Sequence, residues 1–580
     1  MHPTLAPQAS APPPLAPHLV RLLQEGYALQ ARGQLEDAAK LYRKVLQQAP
    51  DSVDGLHLLA MVRGKQGRHE ESIRLYRDAL KRRPADAKLW YNLGLIYHAA
   101  ERPHEAGNAY ARAVECGANG PDLLGLWYTS RRLLCDWSDH AALMAALSRG
   151  ANPAGPPASP FDTLMLDDPH LHLAVARRRL GGVRPATRLP PTVRDPSDKV
   201  RIGYVSADFR EHPTTHLIAR LLERHDRTRF EVVAISIGPD DGSDYRRRII
   251  AAADRFIDCF AFDLETTAKA IAQAGIDILV DLMGHTSANR VDLFAHRLAP
   301  IQVAYLGYPG TTGAPEMDYV IADPAVLPFS EASTFSEAVV HLPETYQPCD
   351  PHIEIPPSPS RAECGLPAGA LVFCAFNGAQ KIDPETFGIW MGLLEQVPGS
   401  VLWLLAGDAQ MQANLCRAAE ARGIAKERLV FAPRREVAAH LARIPLADMF
   451  LDTFPYTAHT TANDMLRMGV PVVTRAGASF ASRVAASLVT LMGCPELVAR
   501  DADDYAALAL GLAQDPQRRS ALRARLLAMR DRSPLFDSER YRLHLEAAYE
   551  GMMARWAAGE APAAFAVPLL LGSISPDATA

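Results

Sequence analysis

Residues 451–473 read LDTFPYTAHTTANDMLRMGVPVV. The apolar run closing at Leu451 has the length and composition of a strand, the segment around Pro455 reads as a loop, and VPVV is a second strand. Between them a helix is expected to start at Thr460 and Thr461 and to stop before Gly469. Strand, loop, helix, strand within 23 residues is a βαβ unit, which implies a parallel sheet. A helix start with free backbone N–H groups and two hydroxyls beside it is a ready phosphate site.

The same alternation extends in both directions. RIGYVSADF, FEVVAISIG, IDILVDLMG, IQVAYLGYPG and MDYVIAD are strand candidates in a first half; LVFCAFN, VLWLLAGD, RLVFAP, ADMFLDTF and PVVT are candidates in a second. A Pro/Gly-rich stretch around 350–368 is a plausible joint. Two doubly wound sheets in tandem imply a cleft, with ligands at the carboxyl ends of the strands. In CAFNGAQKIDPETF, Lys381 falls in a strand-to-helix loop, with Asp383 as N-cap and Pro384 as the first helical residue. A lysine there would compensate phosphate charge.

HPTTH, residues 212–216, follows the first strand of the first half. A zinc-protease pair would be HExxH on a continuous helix; here Pro213 suits a first helical position and leaves His212 just outside the helix. With an ordinary pKa of ~6.5, His212 is a candidate general base at neutral pH or a neutral orienting group, and the residues do not choose. DADD at 501–504 reads as an N-cap cluster, not a metal site.

Composition narrows the class. The 580 residues are 48% hydrophobic and 22% charged, with a net charge of −5 that gives no reason to expect nucleic acid. Eight scattered cysteines without a CxxC pair argue for reduced thiols. The N-terminus lacks a signal-peptide pattern, and no apolar run is long enough for a membrane span. A cytoplasmic protein without a membrane partner is expected.

A repeat precedes the α/β part. Tyr42, Tyr76 and Tyr110 are 34 residues apart, as are Gly33 and Gly67, and Pro50 and Pro84. This frame resembles the tetratricopeptide repeat, whose helical hairpins stack to bury their apolar faces. The third unit departs, with Glu101 at the glycine position and Ala118 at the proline.

The strings GYVSADFREHPTTHL, APIQVAYLGYPGTTGA, FNGAQKIDPETF, LADMFLDTFPYTAHTTANDML and ASRVAAS closely resemble the nucleocytoplasmic O-GlcNAc transferases of glycosyltransferase family 41. The resemblance covers about 20–550, with few repeats and no long insert between the lobes, as in bacterial members. It implies an α solenoid of tetratricopeptide repeats followed by a GT-B fold of two Rossmann-like lobes. The domain plan expected is a Pro/Ala-rich tail over 1–16, repeats and a helical cap over 17–150, and a linker over 151–197. The N-terminal catalytic lobe would follow over 198–365, the UDP-binding C-terminal lobe over 366–556, and a tail over 557–580.

Roles follow from the same resemblance. His212 matches the active-site histidine and Lys381 the lysine that stabilises the departing diphosphate. Thr460 and Thr461, after His459, match the phosphate-binding pair. Asp464 matches the ribose-binding acid, His440 the histidine stacked on uracil, and Arg443 a nearby nucleotide-site arginine, with Arg435 a further candidate. Thr286, Leu306, Gly307 and Pro309 match positions lining the sugar and acceptor side. Two departures touch donor contacts: the family's glutamine falls on Gly378, with Gln380 displaced by two, and its lysine before the uracil histidine falls on Val437. The implied activity is metal-independent, inverting transfer of N-acetylglucosamine from UDP-GlcNAc to protein Ser/Thr hydroxyls, with no cofactor and with the repeats holding the acceptor. Fucose transfer from GDP-fucose, suggested by DLMGHTSANR, and glucose transfer from UDP-glucose are the alternatives. An inactive binding scaffold is the reading from another class.

Overall fold

In the computed structural model the described residues are 15–120, 122–152, 158–181, 186 and 198–570. Of the tails expected over 1–16 and 557–580, residues 1–14 and 571–580 lie outside them. The chain divides into two compact units, one up to Arg131 and one from Arg132 on. Residues 132–150, expected with the repeats, therefore belong to the second unit.

The first unit is built from helical hairpins: Pro17–Ala31 with Leu35–Gln48, Val53–Lys65 with His69–Arg82, and Ala87–Ala99 with Pro103–Glu115. Tyr42, Tyr76 and Tyr110 are each at most 1% exposed. The first and third seat against glycine: a Cβ at Gly26 would lie 2.5 Å from the Tyr42 ring, and one at Gly94 2.4 Å from the Tyr110 ring. Ala60 holds the equivalent position in the middle repeat. The 34-residue spacing is thus a packing code, with a small residue on one helix for each ring on the next. Gly33 and Gly67 turn with φ of 76° and 72°, and Glu101 adopts the same left-handed conformation at 55°. That strain costs a non-glycine residue about 1–2 kcal/mol, and the third repeat tolerates it.

Two all-parallel sheets organise the second unit. The first contains β1 (Val200–Ser206), β2 (Phe230–Ser236), β3 (Arg255–Asp258), β4 (Ile278–Asp281), β5 (Ile301–Ala304), β6 (Tyr319–Ala322) and β7 (Ala338–His341). The second contains β8 (Val372–Ala375), β9 (Val401–Leu405), β10 (Leu429–Ala432), β11 (Met449–Leu451), β12 (Val472–Arg475) and β13 (Val498–Ala499). A last strand, β14 (Phe565–Ala566), returns to the first sheet. The orders are β14-β7-β6-β5-β4-β1-β2-β3 and β10-β9-β8-β11-β12-β13. In each sheet the winding reverses beside the first strand of the lobe, between β1 and β4 and between β8 and β11. Ligands of such sheets bind at those switch points.

The C-terminal boundary differs from the sequence expectation. Helix Ser538–Ala557, assigned by position to the second lobe, buries Tyr541, Leu545, Tyr549 and Trp556 against Tyr204, Ile278 and Tyr305 of the first. Two polar contacts fix its register: Tyr204 and Tyr549 hydroxyls meet at 3.1 Å, and His225 Nδ1 lies 2.9 Å from Glu546 Oε1. The described part of the expected tail then forms β14, paired with Val340 and His341. Between the lobes, Phe480 packs on Tyr346 with ring centroids 4.9 Å apart, within one continuous apolar cluster.

Candidate active site

Every predicted site residue of the first lobe follows the carboxyl end of a strand near the switch point. His212 comes after β1, Thr286 after β4, and Leu306, Gly307 and Pro309 after β5. His212 is the N-cap of helix Pro213–Arg224, whose first residue is Pro213. Its Nδ1 lies 3.2 Å from the Thr214 N–H and 3.4 Å from Asp208 Oδ2. These neighbours ask for opposite tautomers. Accepting from Thr214 leaves the hydrogen on Nε2, whereas donating to Asp208 leaves Nε2 free to take a proton. Burial pushes the imidazole below its usual range, against the pull of Asp208, so the ring is neutral at pH 7. His216, by contrast, is tied to Glu211 at 2.7 Å and to the Tyr245 ring.

The loops after β4 and β5 are fitted backbone to backbone. Asp281 at the end of β4 accepts from the N–H groups of Met283 and Gly284, and burial raises its carboxyl to about 6. Thr286 donates its hydroxyl to the Met283 carbonyl at 2.8 Å. Leu306 takes a left-handed φ of 69°, and a Cβ on Gly307 would lie 1.9 Å from the Leu282 carbonyl oxygen. Only glycine permits that approach.

The second lobe supplies the cationic half. Lys381 sits in the turn Ala379–Lys381 after β8, and its Nζ donates to the Thr457 carbonyl at 2.7 Å while lying 3.8 Å from the Tyr456 ring centroid. Burial lowers its pKa to about 7, opposed by Asp452 and reinforced by Arg132. Asp452 closes β11 and folds the following loop: it accepts from Asn377, from the N–H groups of Thr453 and Ala458, and from Thr474. The loop delivers helix Thr460–Arg467, whose N-cap His459 makes no side-chain cap. His459 instead donates Nε2–H to the Ala481 carbonyl at 3.2 Å. The first N–H groups are thereby left for an incoming anion, beside the hydroxyls of Thr460 and Thr461.

Asp464, one turn along, is raised to about 7 by burial, with Arg467 pulling the other way. Arg467 in turn binds the Asp350 and Pro351 carbonyls of the inter-lobe joint at 3.0 and 2.7 Å. After β10, Arg443 donates to His440 Nδ1 at 2.7 Å, so His440 keeps its hydrogen on Nε2. Its ring stands 5.4 Å from Phe376 and is held neutral, with a pKa near 4 set first by burial and then by Arg443. Arg435 lies exposed in the loop before this helix.

A small cluster links the two halves: Tyr308 of the β5 loop, Leu164 and Phe161 of the linker, and Tyr456 and Ala481 of the second lobe. Among the described contacts none joins His212 directly to Lys381 or Thr460. Asp452, Asp281 and Tyr456 were not foreseen as site builders; an acid closing a predicted strand was the available signal. Asp501 caps its helix through Asp504 N–H at 2.8 Å, as DADD suggested. No group of three or more His, Cys, Asp or Glu side chains among the described residues is placed to hold a metal ion.

Two parallel α/β lobes, with the candidate side chains after strands at both switch points, follow helical hairpins of tetratricopeptide type in the chain, which is the architecture of a two-lobed GT-B fold with repeats before it. The chain belongs to glycosyl transferase family 41, whose model matches residues 170–356 and 352–545. Tetratricopeptide models match 22–52 and 57–121. A probable UDP-N-acetylglucosamine–peptide N-acetylglucosaminyltransferase of Arabidopsis thaliana is 34% identical over 459 residues, covering 75% of this chain and 47% of the relative. The Caenorhabditis elegans UDP-N-acetylglucosamine–peptide N-acetylglucosaminyltransferase is 31% identical, covering 62% and 41%. The chain thus spans about half the length of these relatives. Among solved structures, a Lys-to-Met variant of the Thermobaculum terrenum O-GlcNAc transferase superposes with a TM-score of 0.71 at 30% identity, covering 93% of this chain and 98% of that one.

Proposed function

We propose that the protein transfers N-acetylglucosamine from UDP-GlcNAc to serine or threonine hydroxyls of protein acceptors, with inversion and without a metal. The observation that carries this reading is the bond from Lys381 to the Thr457 carbonyl, in the loop that leads into the helix start at Thr460 and Thr461, which has no side-chain cap. A departing nucleoside diphosphate needs fixed positive charge and N–H dipoles where its charge develops, and such groups are worth about 3 kcal/mol each. Burial holds the Lys381 pKa near 7 although Asp452 favours the ammonium, and a bound anion would favour the ammonium further. Asp464 is assigned to the ribose hydroxyls and His440, tilted against Phe376 and fixed in one tautomer, to the uracil face. Arg443 holds His440, and Arg435 and His459 border the same nucleotide side. Thr286, Leu306, Gly307 and Pro309 border the sugar and acceptor side.

His212 is assigned to the reacting centre, either as base through Nε2 with Asp208 on Nδ1, or as a neutral donor to the sugar or phosphate. The repeats are assigned to acceptor binding. All eight cysteines are unpaired, which supports the cytoplasmic expectation. No described helix is long and apolar enough to cross a membrane. The test is calorimetric titration with UDP and GDP, each repeated on Lys381→Ala. UDP binding that weakens in the variant, with GDP silent, is expected. Preference for GDP would move the assignment to fucose transfer, and binding of neither would leave a repeat-based scaffold.

A further inference from the structure

The turn that carries Lys381 is held from outside the matched catalytic block. Neither the repeat matches, which end at 121, nor the family 41 match, which starts at 170, includes residues 132–140. Yet this segment meets the turn at Arg132 and Cys135 and its neighbours at Leu134 and Trp137. Arg132, 4% exposed, donates Nε–H to the Gln380 carbonyl. Cys135, turning with a left-handed φ of 47°, places its buried Sγ 3.6 Å from the Ala379 carbonyl. The Leu134 carbonyl accepts from Asn414 at 2.9 Å, and Trp137 packs on Phe387 of the next helix with centroids 5.4 Å apart. Within the turn, Lys381 N–H reaches the Gly378 carbonyl at 2.9 Å and Ile382 N–H the Ala379 carbonyl at 3.0 Å. All the carbonyls that fix the direction of the Lys381 side chain are therefore engaged, the last of them by a guanidinium.

We propose that Arg132 is a positioning residue for Lys381: it clamps the Gln380 carbonyl, fixes the turn, and places a second buried cation beside the ammonium. A hydrogen bond from a buried guanidinium to a backbone carbonyl is of the strong, charge-assisted kind, and here it falls on the turn that carries Lys381. The groups facing Lys381 are Asp452, which favours the ammonium, Arg132, which opposes it, His459, and the Tyr456 ring. Arg132 thus makes the turn rigid and the ammonium readier to take an anionic partner. The inference rests on the reading of Lys381 as the diphosphate-binding lysine.

The test uses the full chain with Arg132→Gln, Arg132→Met and Arg132→Lys. The pH dependence of Lys381 acylation by a neutral reagent, read by peptide mass spectrometry without ligand, reports its ionisation; calorimetry with UDP reports the donor site; a melting curve controls for folding. Arg132→Met is expected to move the Lys381 acylation midpoint up and to weaken UDP about tenfold, the size of one lost charge-assisted hydrogen bond. Arg132→Gln, which can still reach the carbonyl, is expected to move the midpoint with a smaller loss of affinity, and Arg132→Lys to restore part of both. An unchanged Lys381 midpoint in Arg132→Met and Arg132→Gln overturns the proposal, even if both variants melt earlier, because the role would then be structural only. If the midpoint moves but the unsubstituted chain does not bind UDP, the positioning stands and the donor assignment falls.

Discussion

Replacing Lys381 with methionine is expected to weaken donor binding and, at acid pH, to stabilise the fold. The pKa of Lys381 falls from 10.5 to about 7, mainly through burial. At about 1.36 kcal/mol for each tenfold step, that distance is roughly 5 kcal/mol of penalty on the ammonium. The side chain keeps partial exposure, and solvent screening brings the figure to about 2–3 kcal/mol. Methionine gives up the hydrogen bond to Thr457 and the cation over Tyr456, together about 1–2 kcal/mol. A net gain of about 1 kcal/mol remains.

The sign has a pH signature. Below about 7 the lysine is charged in both folded and unfolded chains and carries the full penalty. From about 7 to 10.5 the unfolded chain holds a proton that the folded one has released, so stability of the unsubstituted chain climbs with pH. The advantage of Lys381→Met should therefore be greatest near pH 6 and fade toward pH 10. Melting curves at both ends of that range measure it, with about 1–2 °C expected near pH 6 for a unit of this size. UDP titration of the same variant should show a loss of about 10- to 100-fold. A variant that melts earlier than the parent at pH 6, or gains more as pH rises, would refute the reasoning.

Asp464→Asn is expected to lose UDP affinity, since a neutral amide is a poorer acceptor for ribose hydroxyls. It should also gain relative stability that grows with pH and levels off above about 7: the carboxyl is raised to about 7, so the folded chain loses stability as pH climbs from about 4 to 7, and asparagine has no such slope. Denaturation at pH 5 and 8 separates the two. His212→Gln should cut turnover about 100-fold with UDP affinity kept, and should abolish any acid limb that turnover shows below pH 6.5. Gly307→Ala places a Cβ 1.9 Å from a backbone oxygen that cannot move aside, and should cost about 1–3 kcal/mol or prevent folding of the β4 and β5 loops. Chemical denaturation of the purified variant measures it.

What could be read from the sequence was what depends on local pattern. The 34-residue period, the strand runs, the Asp383 cap and the position of His212 just outside its helix all follow from neighbours within a few residues. Strands β3, β13 and β14 were missed because they are sheet-edge strands, β13 and β14 of two residues each and β3 only partly buried; β7 was passed over although its Ala338–Val340 run was there to read. The return of helix Ser538–Ala557 to the first sheet is a tertiary choice: its pattern announces an apolar face and says nothing of which sheet receives it. Likewise, Tyr456 under the ammonium and Arg132 on the Gln380 carbonyl come from distant parts of the chain, the latter 248 residues away. The chemistry-bearing residues were visible; the residues that aim them were not.

The most direct measurement is incubation of the full chain with UDP-GlcNAc and a Ser/Thr-containing peptide library in the presence of a chelator, with mass spectrometry of the products. One N-acetylhexosamine added to a hydroxyl, lost with Lys381→Met and absent when GDP-fucose or UDP-glucose replaces the donor, is the predicted result. Transfer from GDP-fucose or UDP-glucose instead, or transfer that persists without Lys381, would contradict it.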